Sequence, residues 1–89
     1  MSPHETHRFR LTADAYPGLL SRLLDLFDKR AIVPAAFRSF CDPAGLVVEI
    51  EAVDLPPDAP ARLLACFRQT YGVRTADLTD ERAADLAAA

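Results

Sequence analysis

The sequence predicts an α+β domain in which two helices cover one face of a four-stranded antiparallel sheet. Alternating apolar and polar residues mark the strands, two segments carry the helical spacing of apolar residues, and breaks rich in Pro, Gly and Asp separate them. The resulting order is strand, helix, strand, strand, helix, strand. This βαββαβ order is the split βαβ arrangement of the ferredoxin-like fold, and right-handed crossovers place both helices on the same side.

Size and charge limit the classes of protein to which the chain can belong. Its 89 residues are 51% hydrophobic and 26% charged, which is the balance of one globular domain. The net charge is −3 and Lys29 is the only lysine, so the basic surface that holds a phosphate backbone is missing. We therefore expect no nucleic-acid partner.

Apolar runs and cysteines indicate the compartment. The longest apolar runs are far shorter than a membrane span, so we expect a soluble, cytoplasmic protein with no membrane partner. Cys41 and Cys66 cannot build a disulfide framework, and we expect both to be buried in a reducing compartment.

The first half of the chain contains one strand and one helix. Residues 1–6 are interpreted as a loose lead-in, and a strand starts at residue 7 with alternate apolar side chains facing inward. Pro17 suits the first position of the helix, and Gly18, in its first turn, is not expected to need a positive φ. The predicted buried stripe consists of Leu20, Leu23, Leu24 and Phe27.

The second half supplies the other three strands and the second helix. Residues 32–40 are predicted to be extended, with Pro34 favouring an edge strand, and a turn at 41–45 joins them to a strand over 46–53. A helix capped by Asp58 follows, with a predicted buried stripe of Leu63, Leu64, Phe67 and Tyr71. A short strand at 73–78 and an Ala-rich tail at 80–89 complete the chain, so the domain is predicted to occupy residues 7–79.

The outward side of the sheet is predicted to be charged. It would carry Arg8, Arg10, Thr12, Glu49 and Glu51. Arginine and glutamate on neighbouring strands would pair there as a solvated or dimer-facing network.

One segment is more specific than its periodicity. Residues 14–27 read Asp-Ala-Tyr-Pro-Gly-Leu-Leu-Ser-Arg-Leu-Leu-Asp-Leu-Phe, and Lys-Arg-Ala-Ile follows at 29–32. The Pro-Gly loop that enters a helix ending in Phe, then a basic helix end and an apolar strand start, resembles the opening of an ACT domain. The resemblance covers about residues 7–79 and, within the family, is greatest to the regulatory small subunit of acetolactate synthase. It implies a non-catalytic regulatory module.

The resemblance also implies a ligand site. The candidate ligand-binding residues are Asp14, Ala15, Tyr16, Pro17, Gly18, Leu19 and, facing a ligand held by the other subunit, Val33. Free backbone N–H groups at the helix start would hold an amino-acid carboxylate, and Gly18 would let it approach. The sequence departs from the family at Ala15, where relatives often carry Asn, at Ala31, where Gly is common, and at Pro34.

We expect a homodimer, a small amino-acid effector, a catalytic subunit of a biosynthetic enzyme as partner, and neither a cofactor nor a metal. Two alternatives stay open. One is a structural interaction domain that has lost its effector site. The other is a small dimeric ferredoxin-like-barrel enzyme using His7 and Glu49 in a pocket on the open sheet face. His4 and His7 are three residues apart, but no third metal ligand is evident.

Overall fold

The computed structural model describes the backbone of residues 5–82 and the side chains of residues 5–79. The elements are β1 (Glu5–Ala13), α1 (Leu19–Asp28), β2 (Ala36–Asp42), β3 (Gly45–Val53), α2 (Ala59–Gln69) and β4 (Val73–Arg82). The four described strands form one sheet in the order β2-β3-β1-β4, and each adjacent pair is antiparallel. The predicted ferredoxin-like βαββαβ fold is confirmed. His4 and most of the predicted tail lie outside the described residues.

The hydrophobic core lies between the sheet and the two helices. Alternate residues of the two central strands are buried, as the period of two requires: Phe9, Leu11 and Ala13 in β1, and Leu46, Val48, Ile50 and Ala52 in β3. The rings of Phe27 from α1 and Phe67 from α2 meet the Phe9 ring edge-on, with centroids 6.3 and 5.2 Å away. Aromatic burial thus joins both helices to the central strand.

Helix α1 begins later than the sequence indicates. Gly18 is its N-cap, with φ of 92° and ψ of −14°, so Pro17 stands before the helix. The placement of Pro17 at the first helical position was wrong, and so was the expectation that Gly18 does not need a positive φ. The chain must reverse sharply between β1 and α1, and a left-handed residue makes that turn.

The buried face of α1 is rotated from the predicted one. Leu19, Leu23 and Phe27 are fully buried, whereas Leu24 is 38% exposed. Six apolar residues between 19 and 27 cover a wide arc of the helix, and packing on the sheet selects the row spaced by four residues. The prediction that Leu24 belongs to the core was wrong.

The turn that follows helix α1 contains a left-handed residue, Ala31, at a position where ACT domains commonly have Gly. Ala31 has φ of 56°, and the N–H of Ile32 donates to the carbonyl of Phe27 at 3.0 Å. This is the geometry in which glycine usually stands after a helix. The chain therefore keeps the turn that a glycine would favour but makes it with alanine.

Strand β2 is shorter at its start than predicted and longer at its end. Residues 32–35 precede it, although the N–H of Ala35 donates to the carbonyl of Glu51 at 2.7 Å. Pro34 has no N–H to give to a ladder, which delays the regular strand. The hairpin turn contracts to residues 43 and 44, where the Asp42 carboxylate accepts the N–H groups of Ala44 and Gly45 at 2.8 and 2.9 Å.

Edge position explains the wrong prediction for Cys41. This residue faces the helix side of β2 but is exposed, because it lies on the outermost strand beyond the part of the sheet that the helices cover. Cys66, on α2, is half-buried.

The prediction that Leu63 and Phe67 of helix α2 belong to the core is confirmed. Asp58 takes the N-cap position without a side-chain capping bond, and its carboxylate pairs instead with Arg62 at 3.2 Å. Tyr71 is 79% exposed, because the helix ends at Gln69 and Tyr71 no longer follows its spacing. The prediction that Tyr71 is buried was wrong.

Both terminal strands extend beyond their predicted limits. The first begins at Glu5 and the last continues to Arg82, since these two residues pair across the sheet. The N–H of Asp54 also donates to the carbonyl of Glu5 at 3.0 Å. Residues 5–6 and 80–82 therefore belong to the sheet, not to the lead-in and the tail. Neither described helix is long and apolar enough to cross a membrane.

Candidate functional site

The loop of residues 14–18 joins β1 to α1 and presents the N-terminus of that helix. Pro17 and Gly18 are exposed, and no side-chain hydrogen bond from the N-cap closes this end of the helix. The helix hydrogen bonds begin with Arg22 donating to the carbonyl of Gly18 at 3.1 Å. Backbone N–H groups of the first turn, at the positive end of the helix dipole, therefore lie beside an exposed glycine.

The space beside Gly18 is open. A Cβ at this position would meet no atom of the described residues within 4 Å. It would project into open space next to the first turn of α1. Gly18 therefore leaves the approach to the helix end unobstructed.

Tyr16 connects the loop to the residues just before β4. Its hydroxyl donates to the carbonyl of Tyr71 at 2.6 Å, and the two rings pack edge-on with centroids 5.9 Å apart. The ring also lies so close to Gly72 that a Cβ there would collide with it. Tyr16 therefore holds the loop against the start of β4, with its hydroxyl engaged inside the protein.

Asp14 is tied to two other segments by Arg74. The Arg74 guanidinium donates from Nε to the Asp14 carboxylate at 2.8 Å and from Nη2 to the same oxygen. Its Nη1 donates to the carbonyl of Ala44 at 2.7 Å, and the N–H of Asp14 donates to the carbonyl of Gly72 at 2.8 Å. Arg74 thus links the loop, the β2–β3 turn and the start of β4, and it offsets the charge of Asp14 beside the helix end.

Arg74 was not identified from the sequence. It lies 60 residues after Asp14, and no local pattern joins the two. The signal that could have found it is the sheet topology, in which the end of β1 adjoins the start of β4.

The predicted ligand residues divide into three groups. Asp14, Ala15, Pro17 and Gly18 are exposed on the loop, and Tyr16 is half-buried beneath it. Leu19 is fully buried in the core, so only its backbone can face a ligand. Val33 is 88% exposed, but it follows the far end of α1, a helix about 15 Å long. One chain does not bring Val33 to Gly18, and a shared site would need a second copy.

The structure places two cavities elsewhere on the sheet. The larger, of about 400 Å³, lies on the open face, which is the side of the sheet opposite the helices. It is lined by Arg8, Phe9, Arg10, Arg38, Glu49, Ile50, Glu51, Asp77 and Thr79. The smaller, of about 70 Å³, lies beside Arg74 and the β2–β3 turn. Neither is lined by residues 14–18.

The predicted charged network on the open face is present. Arg8 pairs with Glu51 at 3.5 Å, Arg10 with Glu49 at 3.6 Å, and Arg38 approaches Glu51 at 3.9 Å. These side chains are partly exposed, so each pair contributes at most about 1 kcal/mol.

The cavity on the open face includes Glu49 but not His7, the other residue considered for an enzyme. His7 is 3% exposed and faces the helices, on the same side of β1 as Phe9, whereas Glu49 lies on the open face. The sheet separates the two side chains. His7 pairs with Ala52, which is three residues from Glu49 along β3, and residues an odd number apart on a strand point to opposite faces. The combination of His7 and Glu49 in one pocket was wrong. Within the described residues, no group of three or more His, Cys, Asp or Glu side chains is placed to hold a metal.

Comparisons with known proteins find the fold among solved structures. No protein family matches the sequence, and none of the curated proteins does. The ACT domain of GTP pyrophosphokinase from Chlorobium tepidum superposes with a TM-score of 0.69 at 13% identity, covering 83% of this chain and 96% of that one.

Two further structures share the arrangement. One is a homoserine dehydrogenase from Thiobacillus denitrificans, with a TM-score of 0.64 at 14% identity, covering 89% of this chain and 17% of that one. The other is a nitrogen regulatory PII-like protein from Thiomonas intermedia, bound to ADP, AMP and bicarbonate, with a TM-score of 0.50 at 16% identity, covering 90% of this chain and 93% of that one. The chain therefore has the ferredoxin-like fold found in ACT domains.

Proposed function

We propose that the chain is a non-catalytic regulatory module of the ACT type, which binds a small amino acid at the loop of residues 14–18. The observation that carries the proposal is the exposed N-terminus of α1 beside Gly18, whose missing side chain leaves the approach open. The fold shared with an ACT domain supports the same conclusion.

The geometry suits a carboxylate. The first-turn N–H groups of α1 would donate to its oxygens, and the helix dipole would favour its negative charge. Asp14 would otherwise repel such a ligand, but Arg74 binds its carboxylate and offsets the charge. The open volume beside Gly18 would accommodate the ligand without displacing protein atoms.

A homodimer would complete the site. Strand β2 lies at one edge of the sheet, so its outer backbone groups can pair with another strand. Leu24 and Val33 are exposed apolar residues on α1 and before β2, respectively. Pairing of two β2 strands would cover this edge, and it would offer Val33 of one copy to the loop of the other.

The finer assignment follows from the sequence of residues 14–27. Its resemblance to the small subunit of acetolactate synthase supports a cytoplasmic regulator that docks on a biosynthetic enzyme of that kind. A branched-chain amino acid is then the expected effector.

A thermal-shift screen against the twenty amino acids tests the proposal. A ligand at a hundred times its Kd stabilises the folded state by about 2.7 kcal/mol, so the expected shift is about 10–20 °C. The matched variant is Gly18→Val. Its shift is measured from its own ligand-free melting temperature, because valine in the left-handed backbone at residue 18 lowers stability even without a ligand. A specific shift that Gly18→Val abolishes supports the site, whereas no shift with any amino acid overturns effector binding.

A second candidate is a structural interaction domain without an effector. It is favoured by Ala15, which offers no side-chain amide, and by the position of the two cavities away from the loop. The variant Ala15→Asn separates the two candidates, because an added amide can both donate and accept hydrogen bonds. If it leaves calorimetric titration with valine, leucine and isoleucine flat, the interaction domain becomes the better account.

A further inference from the structure

The open face of the sheet is arranged in rows that the strand register defines. From β2 across β3 and β1 to β4, the rows are Phe40-Val47-Thr12-Thr75, Arg38-Glu49-Arg10-Asp77 and Ala36-Glu51-Arg8-Thr79. These twelve residues are called the open face below. They lie opposite the helices, and nothing within the described residues covers them with another element.

Charge on the open face alternates from strand to strand. Strand β2 contributes Arg38, β3 contributes Glu49 and Glu51, β1 contributes Arg8 and Arg10, and β4 contributes Asp77. Three positive and three negative groups leave the surface neutral, which disfavours a simple anion as its ligand. Strands at equal distances on either side of the boundary between β3 and β1 carry side chains of opposite charge: β3 is opposite to β1, and β2 is opposite to β4.

This reversal makes the face complementary to itself in one orientation. A two-fold axis parallel to the strands, at the boundary between β3 and β1, lays β1 of one copy over β3 of the other and β2 over β4. Each arginine then faces a carboxylate: Arg10 faces Glu49, Arg8 faces Glu51, and Arg38 faces Asp77. A two-fold axis in the sheet plane but across the strands would lay β1 over β1 and oppose like charges.

Shape and size agree with a second copy as the occupant. Four strands about 4.8 Å apart and seven to ten residues long make a face of roughly 19 by 30 Å. Two such faces bury on the order of 1,100 Å² in total, which clears the roughly 1,000 Å² expected of a biological interface and lies at the small end of the range. The hollow of about 400 Å³ between the charged rows gives room for the long side chains of a partner. Phe40 and Val47 would lie over the threonine methyl groups of the same row in the second copy.

We propose that the open face is a self-association surface, on which two copies pack face to face about an axis parallel to the strands. The ion pairs within one copy are long, at 3.5 to 3.9 Å, and their side chains are partly exposed. A second copy can therefore reach their charged groups. This surface is separate from the β2 edge and does not depend on the function proposed above. The two axes do not meet, because one runs along the strands at the β3–β1 boundary and the other passes through the β2 edge, so a protein that uses both surfaces would form an open-ended array.

Complementary charge reversals test the proposal. The acidic variant carries Arg8→Glu and Arg10→Glu, so that β1 and β3 are both negative. The basic variant carries Glu49→Arg and Glu51→Arg, so that both strands are positive. Either variant by itself would oppose like charges across the face and should associate about tenfold more weakly, or worse, than the wild type. An equimolar mixture should restore the wild-type assembly as a mixed species, because each strand then faces its opposite charge.

Native mass spectrometry and sedimentation velocity at micromolar concentration give the readout. The wild type should have at least twice the mass of either reversed variant, and the mixture should return to the wild-type mass with both variants present. The matched control replaces the acidic variant with Arg22→Glu/Arg62→Glu, which has the same net charge but is altered on exposed helix positions. This control keeps the wild-type open face, so it should form its own assembly of wild-type size but no mixed species with the basic variant.

Three outcomes would overturn the proposal. The first is a wild type no larger than the reversed variants, and the second is a mixture that stays at their size. The third is a mixed species of the control with the basic variant as abundant as that formed by the two reversed variants, which would show attraction by net charge alone. The gain in mass is read relative to the reversed variants, so the test stands whether these are monomers or dimers held by the β2 edge.

Discussion

Replacing Gly18 by alanine should destabilise the ligand-free protein by about 1 kcal/mol. Its φ of 92° lies in the left-handed region, which costs a residue with a Cβ about 1–2 kcal/mol. Removing glycine from the unfolded chain offsets about 0.4–1 kcal/mol of that cost. No steric term is added, because the Cβ would meet no atom of the described residues within 4 Å. The melting temperature should fall by about 4–8 °C.

Urea denaturation is the assay, with the midpoint compared at an unchanged m-value. Gly18→Asn is the matched control, since asparagine tolerates the left-handed region, and it should lose clearly less stability than the alanine variant. Gly72→Ala is the steric comparison: its φ is 93°, but its Cβ would collide with the Tyr16 ring. It should cost about 1–3 kcal/mol more than Gly18→Ala. An alanine variant within about 0.3 kcal/mol of the wild type, or equal losses at positions 18 and 72, would refute this reasoning.

Four further stability measurements check the structure. Leu23→Ala should cost about 2–5 kcal/mol and Leu24→Ala less than about 1 kcal/mol, and equal losses would contradict the described rotation of α1. Val48→Ala, which opens space under the helices, should cost about 1–3 kcal/mol in the same denaturation assay. Ala31→Gly should stabilise by about 0.5 kcal/mol, because φ is 56° there, and any loss would count against a left-handed residue 31. A double-mutant cycle of Asp14→Asn and Arg74→Met should give a coupling of about 0.5 kcal/mol after allowance for solvent exposure, whereas strict additivity would contradict the ion pair.

The sequence by itself determined the fold and most of the core. The alternation in β1 and β3 assigns each side chain to a face, because a strand has a period of two and a one-residue error would bury the charged residues. The same alternation predicted that arginines and glutamates of neighbouring strands pair on the open face, as Arg10 and Glu49 do. Helical spacing likewise placed Leu63 and Phe67 in the core. The resemblance of residues 14–27 located the candidate site, and the structure places most of that segment's loop residues at the surface.

Only the tertiary structure decided the details on which the site depends. The exposure of Leu24 depends on how α1 is rotated against the sheet, and a wide apolar arc on the helix does not specify that rotation. The exposure of Cys41 required knowledge of which strand lies at the sheet edge. The backbone angle of Gly18 depends on the direction in which α1 leaves β1, and the contact between Arg74 and Asp14 joins residues 60 positions apart. Local patterns describe how a segment prefers to fold, whereas these features arise where separate segments meet, and the assembled sheet alone sets that geometry.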